Sequence, residues 1–304
     1  MNRMRNAAAL LAGLSLSLSL SLCLCLGGVA WAQGGQKART ATSSAAAEAD
    51  RSPLVKVADG RLLAPEIARI VTRGELVIAM LAADNPPFFS VKNGELAGTD
   101  VDLARLIGKE LGVPVRFDRS PKTFDGVAEA VAVGQADLGI SRLARTLKRG
   151  QSVHFSVAYM RLGHALLINR IRFAEIAGDQ PLPQVIRHFT GTIGVIANSS
   201  WEEFGRRNFP KAKLVSYPSW TDAVNAAKKG EVVAAYRDEL EVMQIVNNDP
   251  SLALTLRTVT FNDLESPLSI MVGIRDLTLL SFVNELIAQR AEKPTASSVL
   301  KAIK

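Results

Sequence analysis

Cysteine is nearly absent from this chain. The 304 residues hold two, Cys23 and Cys25, and both fall in the apolar N-terminal segment. With that segment removed no disulfide can form, so the folded part must rest on an ordinary core. Leu22 and Leu24 precede the two sulfurs where a lipid-attachment site wants a small residue. Histidine is scarce as well. His154, His164 and His188 have no metal-ligand spacing and no HExxH occurs, so neither a metal nor a cofactor is expected. Lys and Arg outnumber Asp and Glu by 36 to 29, yet no basic block is interleaved with aromatics, which argues against nucleic acid as a partner. Gly139-Ile140-Ser141 lacks the second glycine of a nucleophile elbow. No spacing singles out a catalytic residue.

What is present begins with an export signature. In residues 1–32, Arg3 and Arg5 open the chain, Ala7 to Ala30 is uncharged and apolar, and Ala30-Trp31-Ala32 offers a small-x-small cleavage pattern. A cleavable signal peptide is the expectation. An uncleaved membrane anchor competes, because the apolar run is long enough to span a bilayer. Loss of the two arginines takes the net charge from +7 to +5. Residues 33–61 are rich in Ala, Ser, Thr and Gly and read as a flexible tether, with order beginning near Pro65.

From Pro65 onward helical and strand periods alternate. ELVIAML (75–81) and Val113–Phe117 read as strands, while TDVDLARLIGKEL reads as a helix that Thr99 and Asp102 start in the manner of a capping box. A helix over Thr123–Val133 and a strand over Ala136–Ile140 follow. The β, α, β, α, β order argues a mostly parallel, helix-covered sheet. The pattern then restarts. An extended run over His164–Ile168 is followed by strands at 194–197, 214–217 and 232–236, with helices between them. A strand over Leu268–Ile274 and a helix over Leu279–Arg290 return the chain to the first unit. The expected organisation is α/β with two lobes joined by two crossing segments: residues 62–160 in lobe 1, 161–266 in lobe 2, and 267–304 back in lobe 1.

Ligands of open α/β sheets sit at the carboxyl ends of strands. Ser141 and Ser199 fall there. After Ser141 a turn carries Arg142, Arg145, Lys148 and Arg149. Guanidinium forks with a neighbouring hydroxyl are suited to a carboxylate, although a solvated basic loop would read the same way.

Several segments in this order and spacing resemble family 3 of the bacterial extracellular solute-binding proteins. They are RGELVI (73–78), NPPF (85–88), GELAGTDVDLARLIGKELGV (94–113), FDGV (124–127), GQADLGIS (134–141), TLKR (146–149), FSVAY (155–159) and VVAAYRD (232–238). The resemblance implies a type II periplasmic-binding-protein clamshell that closes over its ligand. Residue by residue it implies that Arg149 forks onto a ligand carboxylate with Ser141 close by. Ser199 and Ser200 would offer donors at a helix N-terminus, Asp238 would take an ammonium, and Phe124 would pack on the ligand. Ser199, Ser200 and Asp238 could also be helix caps, and Phe124 could be core. Four positions depart from the family pattern: Asn85 replaces an aromatic unless Phe88 or Phe89 substitutes, Ala144 replaces a hydroxyl, Arg142 puts a full charge beside the carboxylate site, and Thr99 replaces an aromatic or aliphatic residue before Asp100; KPTASSVLKAIK also replaces the usual aromatic-rich C-terminus. These departures shift the expected ligand toward more negative charge.

The resemblance therefore implies a non-enzymatic, monomeric periplasmic receptor. It would capture a small carboxylate-bearing solute, with an amino acid, acidic ones included, as the expected class, and deliver it to an inner-membrane ABC permease. The alternatives are a cyclohexadienyl or prephenate dehydratase-like enzyme on the same fold, and a sensory ligand-binding protein.

Overall fold

The computed structural model of the protein describes residues 53–290. The expected signal peptide and the first part of the expected tether lie outside those residues. The rest of the tether does not fit its expectation, because β1 (Val55–Lys56) and β2 (Leu62–Leu63) pair as an antiparallel hairpin ahead of the helix Pro65–Arg73. Regular structure is therefore present ten residues ahead of Pro65, with the turn closed by the Val57 N–H on the Arg61 carbonyl at 3.0 Å.

The chain continues through β3 (Leu76–Ala79), the hairpin β4 (Ser90–Lys92) and β5 (Glu95–Ala97), β6 (Val115–Asp118), β7 (Leu138–Gly139) and β8 (Val153–Phe155). It then crosses to β9 (Met160–Asn169), β10 (Thr192–Ile196), β11 (Lys213–Tyr217), β12 (Ala234–Asp238) and β13 (Leu256–Leu268), and returns in β14 (Met271–Gly273). Two five-stranded mixed sheets result, ordered β6-β3-β7-β14-β8 and β11-β10-β12-β9-β13. β3 is parallel to β6 and β7, and β10 is parallel to β11 and β12. All four residues of β3 are buried, as a central parallel strand covered by helices on both faces requires. The architecture is the two-lobed α/β clamshell.

The two crossings run side by side and are bonded to each other. The Ser156 N–H donates to the Ile270 carbonyl, the Ile270 N–H donates to Ser156 Oγ, both at 2.9 Å, and the Tyr159 N–H reaches the Leu268 carbonyl at 3.0 Å. A serine side chain thus satisfies a buried N–H where the two strands no longer pair regularly.

Three expectations are corrected. The expected strand over Leu268–Ile274 is shortened to β14, and ahead of it lies a strand not expected at all: β13 runs for 13 residues along β9, with a register shift between Thr260 and Glu265. It is an edge strand, so one face carries polar residues and Pro267 is tolerated, which hides it from a search for apolar runs. β12 ends two residues later than expected, because Arg237 and Asp238 continue the ladder opposite Ala165 and His164. Thr99 caps nothing: it lies inside the helix Thr99–Leu111, Gly98 is the cap position at φ 133°, and Thr99 Oγ1 has no hydrogen-bond partner. A Cβ at residue 98 would fall inside contact distance of the Phe88 carbonyl, so glycine is required there.

Candidate ligand-binding crevice

The carboxyl ends of the parallel strands of both sheets face a common crevice, and the loops after β3, β7, β10 and β12 line it. Past the end of β7, Ser141 is fully buried and its Oγ accepts the Leu81 N–H at 3.0 Å, which ties the two strand ends together. Arg142 then adopts φ 51°. That left-handed turn is held by Asp100, whose Oδ2 accepts the Arg142 N–H at 2.6 Å while Oδ1 accepts Tyr159 Oη–H at 3.0 Å. Burial pushes the Asp100 carboxyl up to about 7, against the pull of those two donors.

The turn delivers the Arg142 guanidinium into the crevice over the Phe88 ring, 4.7 Å from its centroid. Nη1 donates to Asn85 Oδ1 at 2.7 Å and to Glu241 Oε1 at 2.6 Å, and Nη2 pairs with Asp238. Asp238 ends β12 and also caps the next helix, Glu239–Asn248, accepting the Glu241 N–H at 3.2 Å. Arg237 completes a quartet: its guanidinium lies 3.3 Å from Glu241 and 5.5 Å from the Trp220 ring centroid. The side chains of Arg142, Arg237, Asp238 and Glu241 are 4, 4, 2 and 14 % exposed. Burial alone would raise the Glu241 carboxyl, but Arg237 and Arg142 hold it below the usual value. Burial likewise opposes the charge on Arg142, and Asp238 and Glu241 outweigh it.

Arg149 stands on the same side as Arg142. Its Nε donates to Asp125 Oδ1 and its Nη1 to the Ala144 carbonyl, both at 2.9 Å. Nη2 is also 2.9 Å from Asp125 Oδ1 but makes no aligned hydrogen bond and is buried. Across the crevice Ser199 is committed to local structure, since its Oγ donates to the Ile196 carbonyl at 2.6 Å and accepts the Trp201 N–H at 3.2 Å. The lobes also touch directly. The Asp125 N–H reaches the Asn198 carbonyl at 3.1 Å, and the Leu147 and Lys148 N–H groups reach Glu203 at 2.8 and 3.2 Å. Behind Trp201, His164 is buried between Tyr236 Oη and Ser266 Oγ, and burial, with Arg207 adding to it, lowers its pKa to about 4.

Of the eight residues expected at a site, Phe124, Arg142, Arg149, Ser200 and Asp238 line one small cavity between the lobes. The free space there is about 20 Å³, room for roughly one water. Asn85 lies beyond Arg142 and lines a second cavity of about 310 Å³, which Phe124, Arg237, Glu241 and Trp220 also border. Ser141 and Ser199 line neither. The expectation for Arg142 is corrected: its charge is not spare beside Arg149 but is taken up by Asp238 and Glu241. Phe88 does sit at the crevice, but under that guanidinium. Sequence reasoning missed Arg237, Glu241, Asp125 and Trp201. Glu241, three residues after Asp238 at a helix start, was the one with a readable signal.

The family model described as bacterial extracellular solute-binding proteins, family 3, matches residues 76–299. The chain belongs to that family. Among solved structures, it is similar to an ancestral amino acid-binding protein described as a precursor of cyclohexadienyl dehydratase. That similarity has 26 % identity and a TM-score of 0.60, covering 78 % of this chain and 98 % of the other. Among characterised relatives, ABC transporter arginine-binding protein 1 of Escherichia coli (strain K12) is 24 % identical over 184 residues, covering 59 % of this chain and 70 % of that protein. The cyclohexadienyl dehydratase of Pseudomonas aeruginosa is 28 % identical over 171 residues, 54 % of this chain and 60 % of the enzyme. Two of these three proteins are named as binding proteins and one as an enzyme.

Proposed function

We propose that the protein is a periplasmic receptor, exported by a cleaved signal peptide, that captures a small carboxylate-bearing solute as a monomer and presents it to an inner-membrane ABC permease. The observation that carries this reading is Arg149, a buried guanidinium in the wall of the interlobe cavity with Nη2 lacking a hydrogen bond. A carboxylate oxygen is the acceptor such a donor fits best. Closure would follow from contacts that a ligand makes with Arg149 on one lobe and Ser200 on the other. Catalysis is the weaker reading. A dehydratase needs an acid or base poised near the working pH. Glu241 is held low by two arginines, His164 is held at about 4 behind Trp201, and Asp100, raised to about 7, lines neither cavity.

A thermal-shift screen of the purified protein against small carboxylates and amino acids tests the proposal. A ligand at a hundred times its Kd adds about 2.7 kcal/mol, which raises Tm by about 5–10 °C in a domain of this size. No shift with any carboxylate would refute the receptor reading, and turnover of prephenate would favour the enzyme.

A further inference from the structure

The cavity wall carries three guanidinium groups, Arg142, Arg149 and Arg237, against Asp238, the one carboxylate among the described residues lining it. An ammonium entering the cavity would need that carboxylate. It is already occupied: Arg142 Nη2 pairs with Asp238, Arg237 Nε stands 3.5 Å from it, and Arg142 Nη1 also satisfies Glu241 just behind. Nor is Arg142 a loose surface cation. Asp100 fixes its backbone, Phe88 lies beneath its guanidinium, and Asn85 accepts from it. Displacing it would strand a buried charge on each side of the broken pair. Two buried donors in the wall make no aligned hydrogen bond: Arg149 Nη2, which stands 2.9 Å from Asp125 Oδ1, and Arg237 Nε. Among the described side chains lining the cavity, the unmet demand is for acceptors.

Resting on the receptor reading above, we infer that Arg142 is an internal counter-ion occupying the cation subsite, so that the ligand is a small carboxylate bearing no α-ammonium group. The amino-acid class expected from the resemblance is thereby replaced by mono- or dicarboxylate anions, with Arg142 as the residue that sets the choice.

Matched pairs differing only in the ammonium group test this by isothermal titration: propanoate and L-alanine, succinate and L-aspartate, glutarate and L-glutamate, hydrocinnamate and L-phenylalanine. In every pair that binds, the ammonium-free member should bind the wild-type protein at least ~10-fold more tightly, the effect of about one charged hydrogen bond. Arg142→Met, which keeps the volume and frees Asp238, should narrow that ratio to below ~3-fold or reverse it. An amino acid that binds the wild type as well as its partner, or an unchanged ratio in Arg142→Met, overturns the inference while leaving the receptor reading intact. Binding by no carboxylate in either group overturns the receptor reading itself. If Arg142→Met does not fold, the wild-type ratios alone decide.

Discussion

The quartet of Arg142, Arg237, Asp238 and Glu241 balances two positive against two negative charges, each side chain under 15 % exposed. Asp238→Asn keeps the size of the side chain and removes one charge, leaving two guanidinium groups facing Glu241 alone. Breaking a buried pair from one side costs about 3–5 kcal/mol. Because the amide oxygen still accepts one hydrogen bond, the lower end of that range applies. A loss of about 3 kcal/mol corresponds to a Tm lower by about 6–12 °C for a protein of this size. Arg142→Met in the same molecule restores the balance, with Arg237 against Glu241. The double variant should therefore be more stable than Asp238→Asn, with a coupling of at least ~1.5 kcal/mol between the two positions. Urea unfolding of the four proteins, followed by circular dichroism, measures it. If the two single losses simply add, to within about 0.5 kcal/mol, the two groups do not interact and the quartet is no unit.

Other outcomes follow from the buried titratable groups and the tight turns. Asp100 has its pKa raised from 3.8 to about 7, so it favours the native state fully below its unfolded value and loses that contribution as pH rises to about 7. The stability of Asp100→Asn relative to wild type should then improve by up to about 1.4 kcal/mol per pH unit between pH 4 and 7, read from denaturant midpoints, and a flat difference would contradict it. His164 has the opposite sign. Its pKa is lowered from 6.5 to about 4, so stability is lost as pH falls through that window, and His164→Gln should abolish this loss in a melting series from pH 7 to 4. Gly98→Ala sets a side chain at φ 133° against the Phe88 carbonyl and should cost more than about 2 kcal/mol in unfolding experiments, whereas an exposed Gly134→Ala, also at positive φ but in open space, should cost less.

Much of this architecture is legible in the residues themselves. The apolar run at Leu76–Ala79, the glycines closing helices at 74, 112 and 230, and the serine that starts the helix Ser200–Asn208 all announce their elements by local chemistry. β13 does not, because an edge strand half open to solvent needs no apolar alternation and its bulge breaks what period there is. At the site, the basic turn and the acid ending β12 are visible as residue types. Their pairing is not. Arg142 and Asp238 lie 96 positions apart, and no periodicity links them, so the cation that looks spare in the sequence is neutralised only once the lobes meet. Arg237 hides for a different reason: a strand-end arginine looks solvent-bound until Trp220 and Glu241 cover it.

The central claim is that Arg149 captures a small carboxylate between the lobes. Isothermal titration of the wild type and Arg149→Gln, using the carboxylate that gives the largest thermal shift, tests it most directly. Removing a charged hydrogen-bond partner costs about 1.5–3 kcal/mol. The account therefore predicts one site per chain and an affinity weaker by about 10- to 150-fold in the variant. Equal affinities in two folded proteins would contradict it.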